Sequence, residues 1–268
     1  MKQVVFITGI SSGFGNRIAV LLSSKGYSVY GTSRKDVIVG SAITVLKADV
    51  TDADSIKSAV EKVIQKEGHI DILINNAGMG ISGAIEDFSL EDIKLQMGTN
   101  VMGVVNTIQA ILPSMRSRKK GLIMNVSSIG GLMGLPFQGF YSASKYAVEG
   151  LSEALRMELK EFNIKVVVIE PGDFSTNFTA NRKFVANATT TSAYKHQFVK
   201  SIAAIEKDEN GGLSPDFLAK KVCKIIESKN PYHRYIISTL EQKFAVVLKA
   251  ILPDSLFFKI LASHYGIK

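Results

Sequence analysis

The sequence predicts a doubly wound α/β fold, in which helices cover both faces of one parallel sheet. Short apolar, β-rich runs alternate with longer helical patterns along the chain. These runs are continuously apolar rather than alternating, as strands buried on both faces require. Strand–helix alternation with right-handed crossovers favours a doubly wound sheet. We therefore expect a seven-stranded parallel sheet flanked by helices, followed by a C-terminal helical extension.

Each predicted strand is a run of five or six residues: 4–8, 27–32, 43–48, 70–75, 121–126, 165–170 and 234–238. The helical patterns between them cover about 13–25, 53–67, 91–115, 140–161 and 215–228. Pro215 and Asp216 open the last helix, where a missing backbone N–H costs nothing and an acidic first turn is favourable. No repeat or linker divides residues 1–268, which predicts a single domain.

Two segments lie outside this alternation. Residues 174–214 are long and weakly patterned, which predicts a lid or specificity segment beside the ligand site. The tail, about 241–265, is apolar and basic, with a stripe formed by Leu256, Phe257, Ile260 and Leu261. We expect the tail to pack over the cleft or against another subunit, in preference to a membrane interface.

Composition excludes several classes of protein. A single Cys223 excludes an intrachain disulfide framework, and no apolar stretch is long enough to span a bilayer. These features predict a cytoplasmic protein. The net charge is +8, but its basic residues are interleaved with apolar ones, so we expect no nucleic-acid partner. The sequence predicts no metal site.

A glycine-rich turn follows the first predicted strand and opens the first helix. It comprises Gly9, Ser11, Ser12, Gly13, Phe14 and Gly15. Glycines let the backbone approach a diphosphate closely, and the free N–H groups at a helix start attract the anion. The turn therefore predicts a Rossmann-type dinucleotide site.

The end of the second strand discriminates between the two nicotinamide cofactors. Binders of NAD place a carboxylate there, on the adenosine ribose. Here the sequence is Ser33, Arg34 and Lys35, with two cations and no carboxylate. Arginine can hold a 2′-phosphate through charge-assisted hydrogen bonds. NADP(H) is therefore favoured over NAD(H).

A candidate acid–base pair lies on the fourth predicted helix. Tyr141 and Lys145 are four residues apart and therefore share a helix face. The pKa of a free tyrosine is about 10, and a nearby ammonium stabilises the phenolate. Upstream, Ser127 and Ser128 follow a strand at the edge where ligands bind. Either hydroxyl could hold a substrate oxygen, and chemistry alone leaves the choice open.

The chain resembles the classical short-chain dehydrogenase/reductase family over nearly its whole length. The matching motifs are TGxxxGxG at 8–15, NNAG at 75–78, Asn100 in NVMG, YxxxK at 141–145 and PGxxxT at 171–176. Ser128 matches the family serine thirteen residues before the tyrosine. Six motifs in the right order and spacing make coincidence negligible.

The resemblance implies a catalytic tetrad. Tyr141 would be the acid–base, Ser128 would hold the substrate oxygen, Lys145 would lower the tyrosine pKa and bind ribose, and Asn100 would hold a water connecting Lys145 to solvent. Asp49 and Val50 would contact adenine, Asn76, Ala77 and Gly78 would line the adenosine side, and Pro171, Gly172 and Thr176 would line the nicotinamide. Asn75 would bridge strands.

Residues 127–159 are most similar to the branch that contains 17β-hydroxysteroid dehydrogenase type 1 and the retinol dehydrogenases. This likeness implies a lipophilic ketone, aldehyde or alcohol as substrate, and a homodimer or homotetramer. A 3-oxoacyl-[acyl-carrier-protein] reductase is the alternative enzyme. A non-catalytic NADP(H) sensor is a remote alternative, because it would be expected to lack the tyrosine or the lysine.

Overall fold

The computed structural model describes residues 2–267, and its centre is one parallel sheet of seven strands. The strands are β1 (Val4–Ile7), β2 (Ser28–Ser33), β3 (Ile43–Lys47), β4 (Ile72–Asn75), β6 (Gly121–Val126), β7 (Ile164–Pro171) and β9 (Arg234–Ile237). Their order in the sheet is β3-β2-β1-β4-β6-β7-β9. The predicted doubly wound sheet is confirmed. The chain reverses its direction of winding between β1 and β4, so ligands are expected beyond the carboxyl ends of these strands.

Helices cover both faces of the sheet. They include α1 (Gly13–Ser24), α2 (Ala53–Glu67), α3 (Leu90–Met97), α4 (Gly103–Ser117), α5 (Gly139–Glu158) and α8 (Pro215–Glu227). One apolar core joins α1 and α8 to the sheet through residues such as Ile18 and Val222. A second core joins the α2, α4 and α5 side through residues such as Val60 and Ile111. Because the strands are buried on both faces, their sequences are continuously apolar.

The helix predicted over residues 91–115 is present between Leu90 and Ser117, but it is not α-helical throughout. The structure divides it into α3 and α4, separated by a π-helical turn over Gly98–Met102 that contains Asn100. Glycine propagates a helix poorly, and Gly103 allows α4 to approach Val50 closely: a Cβ there would lie 2.7 Å from the Val50 side chain. Such π-turns often occur at functional sites.

Residues 174–214 are more ordered than a loop. They contain α6 (Asn177–Ala180), β8 (Lys183–Phe184) and α7 (Lys195–Asn210), and β8 pairs in parallel with β5 (Ile81–Ser82). Phe198 and Ile202 of α7 pack against Ile81 in a small core of their own. The segment is thereby fixed against the edge of the cleft described below.

The C-terminal tail forms two helices, α9 (Leu240–Ile251) and α10 (Asp254–His264). Phe257 is buried and Tyr265 reaches the wall of the cleft, whereas Phe244 and Ile251 are exposed. The tail therefore contributes to the cleft, as one of the sequence-based alternatives supposed. Among residues 2–267, no helix is long and apolar enough to cross a membrane.

Candidate active site

A cleft of about 570 Å³ lies at the carboxyl ends of the parallel strands, where the fold predicts a ligand. It extends from the glycine-rich turn, past Ser128 and Tyr141, to the inner wall of the 174–214 segment. All residues predicted to bind cofactor or substrate line this cleft, with the exceptions of Gly15 and Asn100. Both exceptions lie directly behind its wall.

The glycine-rich turn is shaped by contacts that exclude side chains. A Cβ on Gly15 would lie 2.3 Å from the Gly9 carbonyl oxygen and 2.5 Å from Asn76 Nδ2. Gly9 and Gly13 have positive φ angles of 71° and 59°, which side chains rarely adopt. The Ser12 side chain does not cap α1, so the first N–H groups of the helix are free to bind an anion. The ring of Phe14 packs edge-on against Phe174 at 4.9 Å.

The adenosine end of the cleft carries the predicted cationic side chains. Arg34 and Lys35 are exposed there and form no ion pair within residues 2–267. The Ser33 hydroxyl is used locally: it donates to the Lys35 carbonyl at 2.7 Å. Asp49 accepts hydrogen bonds from the Thr51 amide and hydroxyl through Oδ1. Because Arg34 forms no ion pair in the described chain, its guanidinium is available to bind a phosphate group.

Two neighbouring asparagines have different tasks. Asn76 Nδ2 donates to the carbonyls of Thr8 and Gly9, both at 2.9 Å, and so joins β4 to the glycine-rich turn. Asn75 Nδ2 donates to Asn125 Oδ1 at 2.9 Å, between β4 and β6. Asn75 is therefore structural in its contacts, as the family pattern implied, whereas Asn76 lines the cleft.

The side chains of Ser128 and Tyr141 lie next to each other on the cleft wall. The Ser128 hydroxyl accepts a hydrogen bond from the Gly130 amide at 3.0 Å and lies beside the phenol. The Tyr141 ring also contacts Phe178, with 5.8 Å between ring centroids. Ser127, by contrast, directs its hydroxyl toward the Lys145 carbonyl, at 3.5 Å. Of the two serines that the sequence left open, the geometry favours Ser128.

The expectation that Lys145 lowers the pKa of Tyr141 is not met by the protein groups alone. Burial raises the pKa of Tyr141 to about 12, and the Ser128 hydroxyl opposes this shift only in part. The negative charges of Glu209 and Asp173 raise it further, and the charge of Arg182 lowers it. Tyr141 is consequently protonated at neutral pH and able to donate a proton.

Lys145 and Asn100 are held near Tyr141 by hydrogen bonds of their own. Lys145 Nζ donates to the Val126 carbonyl at 2.9 Å and lies 5.8 Å from the centroid of the Tyr141 ring. The Asn100 side chain is occupied: it accepts from the Met79 amide at 2.9 Å and donates to the Met79 carbonyl and the Ser144 hydroxyl. Both N–H groups of the amide are used and Oδ1 keeps one acceptor site, so the water-holding role implied for Asn100 stays a prediction.

The buried charge of Lys145 leads to a prediction about stability. Burial lowers its pKa to about 8, so between pH 8 and its ordinary pKa of 10.5 the unfolded chain binds more protons than the folded one. The contribution of Lys145 to the free energy of unfolding therefore rises with pH between pH 8 and pH 10.5. The free energy of unfolding of the wild type minus that of Lys145→Met should rise by roughly 2 kcal/mol from pH 7 to pH 10.

Chemical denaturation of both proteins without added nucleotide measures this difference at each pH. Titrations of groups common to both proteins cancel when the two values are subtracted. A difference in the free energy of unfolding that is flat, or that falls with pH, would contradict the lowered pKa of Lys145.

Sequence reasoning missed most of the wall opposite the glycine-rich turn. Apolar residues there include Leu135, Phe178 and Ile205. Three carboxylate side chains, Asp173, Asp208 and Glu209, line the same part of the cleft, together with Thr179 and Tyr265. Asp173 was detectable, because it occupies the first variable position of PGxxxT. The others belong to no motif: Leu135 precedes α5, and the rest lie on α6, on α7 or in the tail.

The family model for short chain dehydrogenases matches residues 3–184. The chain belongs to the short-chain dehydrogenase/reductase family, and it is an oxidoreductase of a family that uses nicotinamide cofactors. A solved short-chain dehydrogenase from Streptomyces avermitilis superposes with a TM-score of 0.84 at 28% identity, covering 99% of this chain and 96% of that chain.

Three curated relatives match almost the full chain. A 3-ketodihydrosphingosine reductase of Bacteroides thetaiotaomicron is 47% identical, covering 99% of each chain. An NADPH-dependent 3-dehydrocapnine reductase of Ornithobacterium rhinotracheale is 31% identical, covering 95% of this chain and 94% of the relative. Human 17-beta-hydroxysteroid dehydrogenase type 1 is 32% identical, covering 94% of this chain and 82% of the relative. The last match confirms the likeness to the steroid dehydrogenase branch.

Proposed function

We propose that this protein is an NADPH-dependent reductase of a long-chain lipid ketone, and that Tyr141 is its proton donor. The observation that carries the proposal is the meeting of Ser128 and Tyr141 in a cleft that connects a phosphate-binding turn to a partly apolar wall. The similarity to a relative named 3-ketodihydrosphingosine reductase supports the substrate class, and the similarity to one named NADPH-dependent 3-dehydrocapnine reductase supports the cofactor. The reverse oxidation of an alcohol would use the same groups.

The residues of the cleft fit NADP(H). Free N–H groups at the start of α1 suit the diphosphate, and Arg34 suits the 2′-phosphate because it is exposed in the cleft without an ion-pair partner in the described chain. Asp49 and Val50 would contact adenine, and Pro171, Gly172 and Thr176 would border the nicotinamide. When bound, NADPH supplies the hydride for the carbonyl carbon.

The chain's own residues supply the proton and the orientation. We assign to Ser128 Oγ the hydrogen bond that holds the substrate carbonyl oxygen beside Tyr141. Tyr141 Oη donates its proton to that oxygen as the alcohol forms, and the charge of Lys145 would act together with the positive ring of a bound oxidised nicotinamide to stabilise the phenolate that remains. The lysine pKa of about 8 leaves it largely cationic at neutral pH. Asn100 anchors the backbone of Met79, a residue that lines the cleft.

Oxidation of NADPH, followed at 340 nm, tests the proposal. The panel contains 3-ketodihydrosphingosine, a steroid ketone, retinal, an aliphatic aldehyde and an acetoacetyl thioester, each assayed with NADPH and with NADH. We expect turnover of the lipid ketone with NADPH to exceed that of every other pair. Preference for the thioester would instead favour the acyl-carrier-protein reductase, and no turnover of any carbonyl would contradict the proposed function.

A further inference from the structure

The part of the cleft beyond Tyr141 is acidic, which a purely hydrophobic substrate does not explain. Asp173, Asp208 and Glu209 all line it, and the charges of Asp173 and Glu209 are close enough to raise the pKa of Tyr141. A carboxylate costs free energy when it loses water without gaining a partner. These carboxylates lie beside the proposed reaction centre, where a substrate head group would lie.

Two of the three carboxylates are paired with a basic side chain. Glu209 pairs with Arg182 through Oε1 and accepts a hydrogen bond from the Thr179 hydroxyl at 2.6 Å through Oε2. Asp208 lies 2.9 Å from His264 Nε2. The Arg182 side chain has no exposed surface, and its Nε and Nη1 atoms have no hydrogen-bond partner within residues 2–267. Polar groups at this end of the cleft are therefore incompletely satisfied.

Asp173, like Asp208, keeps one carboxylate oxygen without a hydrogen-bond partner among residues 2–267. Its Oδ2 accepts a hydrogen bond from Gln242 of α9, while Oδ1 has no hydrogen-bond partner among the described residues. Burial and the charges of Glu209 and Asp208 raise the pKa of Asp173 to about 6, against weaker lowering by His264 and Gln242. A cation beside Asp173 would relieve this repulsion and stabilise the ionised carboxylate.

The size of the cleft that these carboxylates line indicates what kind of cation they suit. Within residues 2–267, no group of three or more His, Cys, Asp or Glu side chains could hold a metal ion. The three carboxylates line a cleft of about 570 Å³. An ammonium group carried on a larger molecule fits such a space, because its three N–H donors can reach separate acceptors.

We propose that Asp173 binds the ammonium group of a 2-amino ketone, with Asp208 and Glu209 adding to the negative potential around it. This inference rests on the proposed function and names its substrate class. In a 2-amino ketone the nitrogen is attached to the carbon next to the carbonyl, so an ammonium on Asp173 places the carbonyl near Tyr141. 3-Ketodihydrosphingosine, the substrate in the name of one relative, is such a molecule.

The same geometry assigns a task to the C-terminal tail. Gln242 of α9 orients Asp173, His264 of α10 pairs with Asp208, and Tyr265 borders the same space. Gly172 allows this arrangement, because a Cβ there would lie 2.1 Å from Gln242 Oε1. The tail thus completes the wall that would receive the head group.

The test compares Asp173→Asn with the wild type on two ketones of equal chain length. One is 3-ketodihydrosphingosine, and the other is the same 1-hydroxy-3-ketone without the amino group. We expect kcat/KM for the amino ketone to fall by about 30-fold or more, and that for the amine-free ketone to change by less than about threefold. Asparagine keeps the size of the side chain and an acceptor for Gln242. Glu206→Gln on α7, which does not line the cleft, is the matched control and should leave both values unchanged.

Binding without turnover provides a second readout. With NADP⁺ present, sphinganine should bind the wild type at least about tenfold more tightly than the matching alcohol without an amine, and Asp173→Asn should remove this difference. Equal losses for both ketones in Asp173→Asn, or no loss for either, would overturn the inference while wild-type turnover upheld the proposed function. A wild type that reduced neither ketone would contradict the proposed function itself and this inference with it.

Discussion

Replacing Tyr141 with Phe is expected to lower kcat by about 10³-fold or more while leaving the affinity for NADPH within about twofold. The substitution removes only the phenol oxygen, so the ring can keep its contact with Phe178. Without that oxygen, no group at this position can donate a proton to the substrate oxygen. Steady-state kinetics and a nucleotide titration of the same preparation measure the two effects.

Tyr146→Phe is the matched control for this variant. Tyr146 lies on the same helix but is exposed and does not line the cleft, so its loss should change kcat by less than about twofold. Normal turnover in Tyr141→Phe would remove the assignment of Tyr141 as proton donor. An equal loss in both variants would indicate damage to α5 rather than to the chemistry.

Replacing Arg34 with Asp should change the choice of cofactor. The Michaelis constant for NADPH should rise by about 10²-fold, because a charge-assisted contact with the 2′-phosphate is replaced by repulsion. The value for NADH should change little or fall, since a carboxylate at this strand end can accept hydrogen bonds from ribose hydroxyls. Kinetics with each cofactor at saturating ketone measure both constants.

Lys62→Asp is the charge-matched control for Arg34→Asp. It changes the net charge equally on the exposed face of α2, away from the residues that line the cleft. Its effect on NADPH should be small and should disappear at high salt, as expected for screened charges. Equal effects of Arg34→Asp on NADPH and NADH would contradict the role of Arg34 in recognising the 2′-phosphate.

Much of the sheet and one side of the cleft could be predicted because they depend on local patterns. Buried parallel strands produce continuous apolar runs, and the glycine-rich turn requires residues such as Gly15, where no side chain fits. The motifs then predict that Ser128 follows β6 and that Tyr141 and Lys145 lie on α5. Local pattern and tertiary position agree at these sites, so the sequence was sufficient.

The remaining features depend on contacts between distant parts of the chain. The turn at Asn100 interrupts an otherwise helical pattern, and its side chain is fixed by Met79 and Ser144. The raised pKa of Tyr141 results from burial, which the spacing to Lys145 could not reveal. The acidic wall brings together Asp173 after β7 and Glu209 on α7. No periodicity or motif in the sequence predicts that Asp173 and Glu209 line the same part of the cleft.

Transfer of deuterium tests the central claim most directly. The wild type is incubated with 3-ketodihydrosphingosine and NADPH deuterated at C4 of the nicotinamide, on each face in turn, and the product is analysed by mass spectrometry. Hydride transfer in this cleft predicts sphinganine with a single deuterium on its carbinol carbon from one of the two labelled cofactors. An unlabelled product from both cofactors, or no product at all, would contradict the claim that the protein reduces a lipid ketone with NADPH.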